Sequence, residues 1–226
     1  MRLCMFHPKD SPMERGWVGR VDGDRVVHLA AQTLQHFFTG GAGAREHAEY
    51  PLVEVAFAAP VLHPPAVRVF EDETTFAFAN PAAVVGPGAT VAIPAADVVA
   101  SPRLAALVAD DEIVAHGAFL ELRAPTLAPP KDRDFGLAFG PVVVTPDELA
   151  ADRLPMAVGV DGGEWWSGTS LPFDWDRARA HAAAGTTLRT GDLLVGPPAG
   201  AIEGLVPGTQ LAFAVDGIGE LTVTLA

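Results

Sequence analysis

The sequence predicts a mainly β protein with a few short helices. Its 226 residues include 23 glycines and 20 prolines, a composition typical of many turns and short strands rather than of a helical bundle. Hydrophobic residues make up 49% of the chain, which supplies a proper core and argues against disorder. Strand-forming runs recur between turn signals, and the clearest helical pattern lies at residues 174–184.

The first part of the chain, residues 1–60, predicts a small β-rich N-terminal domain. Residues 17–21 and 25–29 are strand formers on either side of Asp22-Gly23-Asp24, a turn sequence that predicts a hairpin. The segment 33–38 has the pattern of a short helix, and the alternation at 53–57 predicts a further strand.

The remaining residues, 61–226, predict a second and larger β-rich domain. Apolar strand patterns, several of them ending at glycine, proline or a short helical turn, occupy residues 83–85, 90–93, 104–108 and 141–145. A hairpin turn is expected at Asp161-Gly162-Gly163, and further strands are expected at 193–195, 211–215 and 220–224.

The composition excludes several classes of protein. A net charge of −13 argues against nucleic-acid binding, which needs a basic face. Cys4 is the single cysteine, so neither an intrachain disulfide nor a cysteine-based zinc site is expected. No apolar run of about eighteen residues predicts a membrane span, and the apolar N-terminal stretch is too short for a signal peptide. We therefore expect a cytoplasmic protein.

Several short motifs carry a family resemblance. Lys131-Asp132-Arg133-Asp134, followed by the run from Gly140 to Glu148, resembles the pattern K-x-x-D … G-P-x-x-V-T-x-D-E of the fumarylacetoacetate hydrolase family. Further matches follow or precede it in the family's order, at residues 80–88, 160–164, 167–170, 187–192 and 196–200. Because the motifs are ordered, residues 65–226 are identified as similar to this family.

The resemblance implies a mixed β-sandwich roll, a divalent Mg or Mn ion, and a homodimer. Members of the family hydrolyse, decarboxylate or isomerise small β-dicarbonyl acids. By resemblance, carboxylates hold the metal, which stabilises enolate charge as a Lewis acid. A His–Glu pair on a mobile lid moves protons, and a lysine contacts the oxyanion.

The sequence departs from the family where the metal ligands are expected. Ser101 and Arg103 stand at the two glutamate positions of E-x-E-L-A, and Phe119 stands at the aspartate position of D-x-x-x-R, whose arginine is Arg123. Residues 69–75 are too short for a lid helix and contain no histidine, and Pro197 replaces the threonine of G-T-P-x-G. Serine, arginine and phenylalanine cannot coordinate a hard divalent cation, so we expect no metal cofactor.

Three basic residues are the first candidates for a functional site. Lys131 matches the family lysine, and the alternative is a solvated lysine beside Asp132 and Asp134. With Arg123 and Arg103 it would form a cationic pocket for a carboxylate or an enolate. The alternative for Arg103 is a salt bridge to Glu121 or to the acidic run 110–112.

Other candidates have weaker support. Glu71 and Glu73 lie where the lid would begin and are acid–base candidates, although such an acidic run is more often solvated. His116 is a candidate general base, with a structural role as the alternative. Pro197 and Gly200 are expected beside the substrate, because they belong to the motif that resembles G-T-P-x-G.

Two functions remain open at this point. The first is a metal-independent enzyme that acts on a small β-dicarbonyl or enol acid by hydrolysis, decarboxylation, isomerisation or cyclisation. The second is a non-catalytic relative that binds a small acid or a protein partner. Lys131 and Arg123 favour the enzyme, and the lost metal ligands favour the binder.

Overall fold

The computed structural model describes residues 1–94 and 97–226. Its strands within the first half of the chain are β1 Arg2–Pro8, β2 Trp17–Asp22, β3 Arg25–Leu29, β4 Glu46–Pro51, β5 Val55–Ala58, β6 Val67–Asp72, β7 Thr75–Ala79, β8 Val84–Val85, β9 Ala89–Val91, β10 Val98–Ala109 and β11 Glu112–Arg123. The later strands are β12 Leu137–Val144, β13 Pro155–Val160, β14 Gly163–Thr169, β15 Leu193–Val195, β16 Ile202–Leu205, β17 Gln210–Val215 and β18 Gly219–Leu225. The α-helices are α1 Leu34–Thr39 and α2 Trp175–Ala183.

The described strands form two sheets. The larger, of 13 strands, has the order β4-β3-β2-β1-β12-β11-β10-β15-β6-β7, with β16, β5 and β8 paired to β10, β1 and β12. The smaller, of 5 strands, has the order β14-β13-β17-β18-β9. Strand β1 pairs with β12, so residues from the N-terminal segment belong to the same sheet as the central strands. The division into two domains at residue 60 stays a prediction.

The central strands β10, β11 and β12 are buried on both faces. One face packs against the smaller sheet, through residues such as Leu104, Leu120 and Phe213. The other face packs against the N-terminal strands and helix α1, through residues such as Leu107, Phe119 and Phe139. Burial on both faces explains why these strands read as nearly continuous apolar runs rather than as alternating patterns. It also means that a charged residue in the middle of β10 or β11, such as Arg103 or Glu121, is removed from water.

Most of the expected elements are present. The mainly β class is confirmed, the hairpin β2–β3 turns at Gly23-Asp24, and the expected helices are α1 and α2. The hairpin β13–β14 turns at Asp161-Gly162, as expected. The strand expected at 53–57 begins at Val55, because residues Leu52–Glu54 form a turn of 3-10 helix. Neither helix of the described residues has the length or the apolar content needed to cross a membrane.

Candidate functional site

The site is built on the antiparallel pair of strands β10 and β11. Ser101 lies directly opposite Glu121, and Arg103 lies directly opposite Phe119. Because side chains alternate along a strand, these four residues share one face of the sheet. The three positions at which the sequence resemblance expects metal ligands, 101, 103 and 119, are therefore brought together.

The side chain of Arg103 is the centre of this site. It is only 1% exposed, and its Nη1 donates hydrogen bonds to the carbonyl oxygens of Phe70 at 3.0 Å and Gly196 at 2.9 Å. Its Nη2 lies 2.8 Å from Oε2 of Glu121, which is fully buried, and 3.6 Å from Oε1 of Glu71. Burial lowers the pKa of Arg103, and the nearby carboxylates of Glu121 and Glu71 oppose this effect.

Arg103 belongs to a series of six residues of alternating charge, which we call the ion-pair chain. Glu121 also lies 3.9 Å from Nη1 of Arg133, whose Nε lies 3.6 Å from the buried Asp132. Arg123 donates to Asp132 at 2.9 Å. The members in order are Glu71, Arg103, Glu121, Arg133, Asp132 and Arg123. Three negative and three positive groups balance, which offsets part of the cost of burying them.

Lys131 lies at the outer edge of this cluster. Residues Lys131–Arg133 form a turn of 3-10 helix, which is joined to the end of β11 by a hydrogen bond from Ala124 N to Asp132 O of 2.8 Å. The Lys131 side chain is 75% exposed and is paired with Asp134. This hydrogen bond lowers the pKa of Asp134. Lys131 is thus placed near Arg123 and Asp132 in the chain, but it is solvated and already paired.

The two acid–base candidates of the lid region are separated by the structure. Strands β6 and β7 form a tight hairpin, with Phe70 opposite Phe76 and Asp72 opposite Thr75, in place of a lid helix. Glu71 reaches Arg103 from this hairpin. Glu73 instead accepts a hydrogen bond of 3.4 Å from the backbone N–H of Asp174, at the start of helix α2. Of these two glutamates, only Glu71 belongs to the ion-pair chain.

The loop at residues 196–200 borders β10. Gly196 N donates to Leu104 O at 2.8 Å, and Ala199 N donates to Pro102 O at 2.9 Å. Pro197 lies next to the carbonyl of Gly196 that accepts from Arg103. Gly200 packs against Trp166, whose Cε2 would lie 2.7 Å from a β-carbon added at this glycine. The loop therefore positions Arg103 through its backbone, although Pro197 itself offers no donor there.

His116 lies on the opposite face of β11 from Phe119 and Glu121. It lies directly opposite Ala106 of β10, and its ring packs edge-on against Trp175 with 5.0 Å between ring centroids. Both ring nitrogens are buried without a hydrogen-bond partner. Burial lowers the pKa of His116 to about 4. The structure does not bring His116 together with the other candidates.

Sequence reasoning did not include Glu121, Arg133 and Asp132 among the site residues. From the sequence, Glu121 is an alternative salt-bridge partner for Arg103, and this ion pair is the one that the structure forms. The available signal was an acidic residue at an alternating position of an apolar strand, since a charge among such neighbours needs a partner.

The residues at the expected metal position do not fit a divalent cation. A hydroxyl, a guanidinium and a hydrocarbon ring replace the oxygen ligands that such an ion requires. Among the residues that the structure describes, no group of three or more His, Cys, Asp or Glu side chains is arranged to hold a metal ion.

The protein is a mainly β fold of two packed sheets, with the charged cluster centred on strands β10 and β11 of the larger sheet. A family model described as the fumarylacetoacetate hydrolase C-terminal domain matches residues 108–226, which is more than half of the chain. The chain therefore belongs to the fumarylacetoacetate hydrolase family.

Solved structures share this fold over the whole chain. Maleylpyruvate hydrolase from Sphingobium sp. SYK-6, in complex with manganese(II) and pyruvate, is 23% identical, with a TM-score of 0.81 and coverage of 100% of this chain and 99% of that one. The 5-carboxymethyl-2-hydroxymuconate delta-isomerase from Mycobacterium smegmatis is 20% identical, with a TM-score of 0.76 and coverage of 100% and 99%.

A third similar structure is that of 2-keto-3-deoxy-D-arabinonate dehydratase complexed with magnesium and 2,5-dioxopentanoate. It is 16% identical, with a TM-score of 0.81, and the alignment covers 100% of this chain and 98% of that one. A search of curated proteins found no match to the sequence. The named structural relatives are thus a hydrolase, an isomerase and a dehydratase of small acids.

Proposed function

We propose that the chain is an enzyme that acts on a small β-dicarbonyl or enol acid without a divalent metal. The observation that carries this proposal is the position of Arg103, a buried cation at the place where the family resemblance expects a metal-binding glutamate. The reactions open to such an enzyme are C–C hydrolysis, decarboxylation, isomerisation and cyclisation. All of these can proceed through an enol or enolate, whose negative charge must be stabilised.

Arginine side chains are suited to this task. A guanidinium is always charged and presents donors in a planar fork that matches a carboxylate or an enolate. Arg103 is held in a fixed orientation by the carbonyls of Phe70 and Gly196, so little reorganisation accompanies the appearance of substrate charge. We assign Arg103 to the substrate's charge, with Arg123 and Lys131 at the outer edge of the same site. Pro197 and Gly200 border it.

The first test of this proposal is ligand binding. Oxaloacetate at a concentration of about 100 times its Kd is expected to stabilise the wild-type protein by about 2.7 kcal/mol, seen as a rise in Tm. Arg123→Ala is expected to weaken binding about tenfold or more, because a partly buried guanidinium is lost. Lys131→Ala is expected to have a smaller effect, because the ammonium is solvated and paired with Asp134.

The matched control for that experiment is Arg25→Ala, which removes an exposed arginine paired with Glu49 on the N-terminal strands. It is expected to bind oxaloacetate like the wild type. Stabilisation by oxaloacetate that survives both Arg123→Ala and Lys131→Ala would count against the pocket. Loss of the oxaloacetate absorbance over time then separates turnover from binding alone.

A second test concerns metal dependence. Isothermal titration with MnCl2 or MgCl2 is expected to give no saturable heat at one site per chain, because Ser101, Arg103 and Phe119 supply no carboxylate. Turnover, where present, is expected to be the same with and without EDTA. Tight binding of one manganese per chain, abolished by substituting Glu121 or Asp132, would overturn the proposal.

One observation favours a non-catalytic binder as the second candidate. The guanidinium of Arg103 already has two carbonyl partners and a close carboxylate, and the β6–β7 hairpin replaces the lid. Such a protein would bind the acid and show no turnover.

A homodimer and a cytoplasmic location also stay predictions. The exposed Trp165 on edge strand β14, at 60% exposure, is a candidate dimer contact.

A further inference from the structure

We propose that Glu71 is an internal substitute for the carboxylate of the ligand: it takes the ligand's place beside Arg103 in the free protein, and the incoming acid displaces it. This inference rests on the proposed function and adds the ligand class and the residue that sets the affinity. The ligand is a small acid whose own carboxylate pairs with Arg103. Glu71 is then a specificity-determining residue rather than a member of the permanent site.

Glu71 is the least tightly held member of the ion-pair chain. Each of the four interior members has two oppositely charged neighbours within the ion-pair chain; these members are Arg103, Glu121, Arg133 and Asp132. Glu71 has one, at 3.6 Å, a distance beyond that of a good hydrogen bond. Its side chain is 48% exposed, whereas Glu121 is fully buried. Of the two carboxylates next to Arg103, Glu71 is the one that can move into water.

One donor of Arg103, its Nε, has no hydrogen-bond partner. Its Nη1 is engaged by two carbonyl oxygens, but its Nε is buried without a hydrogen-bond partner. The Nε and Nη2 groups form one edge of the guanidinium, which can bind both oxygens of a carboxylate at once. Nη2 lies 2.8 Å from Oε2 of Glu121 and 3.6 Å from Oε1 of Glu71, so the contact with Glu71 is the longer of the two and does not involve Nε. A ligand carboxylate free of a backbone tether can align with both donors.

The exchange also preserves the charge balance of the cluster. The ion-pair chain contains three cations and three anions, and Arg103 is almost completely buried. An added anion would leave one buried negative charge in excess, which is costly. An anion that replaces Glu71 leaves the balance unchanged while Glu71 is hydrated. Exchange of one carboxylate for another is therefore the favourable route of binding.

The test is the affinity of the Glu71→Gln variant for malonate, a stable 1,3-dicarboxylate, measured by isothermal titration calorimetry. Removing the competing carboxylate is expected to tighten binding about two- to fivefold, the size of a partly exposed ion pair. Glu71→Asp keeps the charge but shortens the side chain, and it is expected to give a smaller increase in affinity. Unfolding midpoints without ligand verify that each variant is folded.

The matched control is Glu73→Gln, which removes the same group from the same hairpin. The Glu73 carboxylate faces the start of helix α2 rather than Arg103, so its loss is expected to leave malonate affinity unchanged. If the wild type binds malonate and Glu71→Gln binds it with equal or lower affinity, the inference is overturned and the proposed function still stands. Equal tightening in both variants also overturns it, as a general charge effect. Absence of binding in every protein sinks both proposals.

Discussion

Replacing Glu121 with glutamine is expected to lower the free energy of unfolding by about 3–5 kcal/mol. The substitution keeps the shape of the side chain but leaves the buried Arg103 without its close counter-ion. The carbonyls of Phe70 and Gly196 remain as hydrogen-bond acceptors, but they are neutral and do not balance the charge. Since a whole domain is stable by only about 5–15 kcal/mol, the effect should be obvious in urea unfolding at pH 7.

The control is Glu49→Gln, which breaks the exposed ion pair between Arg25 and Glu49 and is expected to cost about 1 kcal/mol or less. The double variant Arg103→Met/Glu121→Leu removes both buried charges and is expected to recover a large part of the loss. A cost for Glu121→Gln no larger than that for Glu49→Gln would show that Arg103 and Glu121 are not a buried pair.

The second large effect is an acid sensitivity caused by His116. Burial lowers its pKa to about 4 in the folded protein, whereas an unfolded histidine titrates near 6.5. Above pH 6.5 the ring is neutral in both states and has no effect. As the pH falls from 6.5 to 4, the unfolded state binds the extra proton, so the folded state loses up to about 3 kcal/mol.

The variant that isolates this effect is His116→Leu, compared with the wild type by urea unfolding at pH 7 and pH 4.5. Because both ring nitrogens lack partners, leucine is expected to be tolerated at pH 7, and to be more stable than the wild type at pH 4.5 by about 2–3 kcal/mol. His36→Leu, on the exposed face of helix α1, is the control and should not show this gain. An identical pH dependence for wild type and His116→Leu would contradict the burial of the ring.

Much of the fold was predictable because local signals agree with the final architecture. The turn at Gly23-Asp24 and the short helix expected at 33–38 are local features, and in the structure the helix begins after Thr33, whose side chain accepts a hydrogen bond from His36 N. Strand β4, Glu46–Pro51, was not predicted, because its side chains are mostly exposed and its pairing with β3 supplies the stability. Strand β11 was not assigned for a different reason: its burial on both faces removes the alternating pattern.

The site was only partly predictable. The motifs put Arg103 and Phe119 at two of the family's metal-ligand positions, which the structure pairs across β10 and β11, but they leave open whether Glu121 or the acidic run 110–112 neutralises the arginine. The pairing of β10 with β11 brings Glu121 to Arg103, and the turn at Lys131–Arg133 brings Asp132 to Arg123. The motif positions of Lys131 and Arg123 make them candidates, but a motif does not indicate how exposed a side chain is. Long-range burial, rather than residue type, decides which charges interact strongly.

The most direct test of the central claim, a cation of the protein in place of a metal ion, is a crystal structure grown with MnCl2 and malonate. Malonate density is expected against the guanidinium of Arg103, with Glu71 turned outwards and no manganese anomalous signal at the ion-pair chain. An anomalous manganese peak within about 2.5 Å of the carboxylate oxygens of Glu71, Glu121 or Asp132 would contradict it.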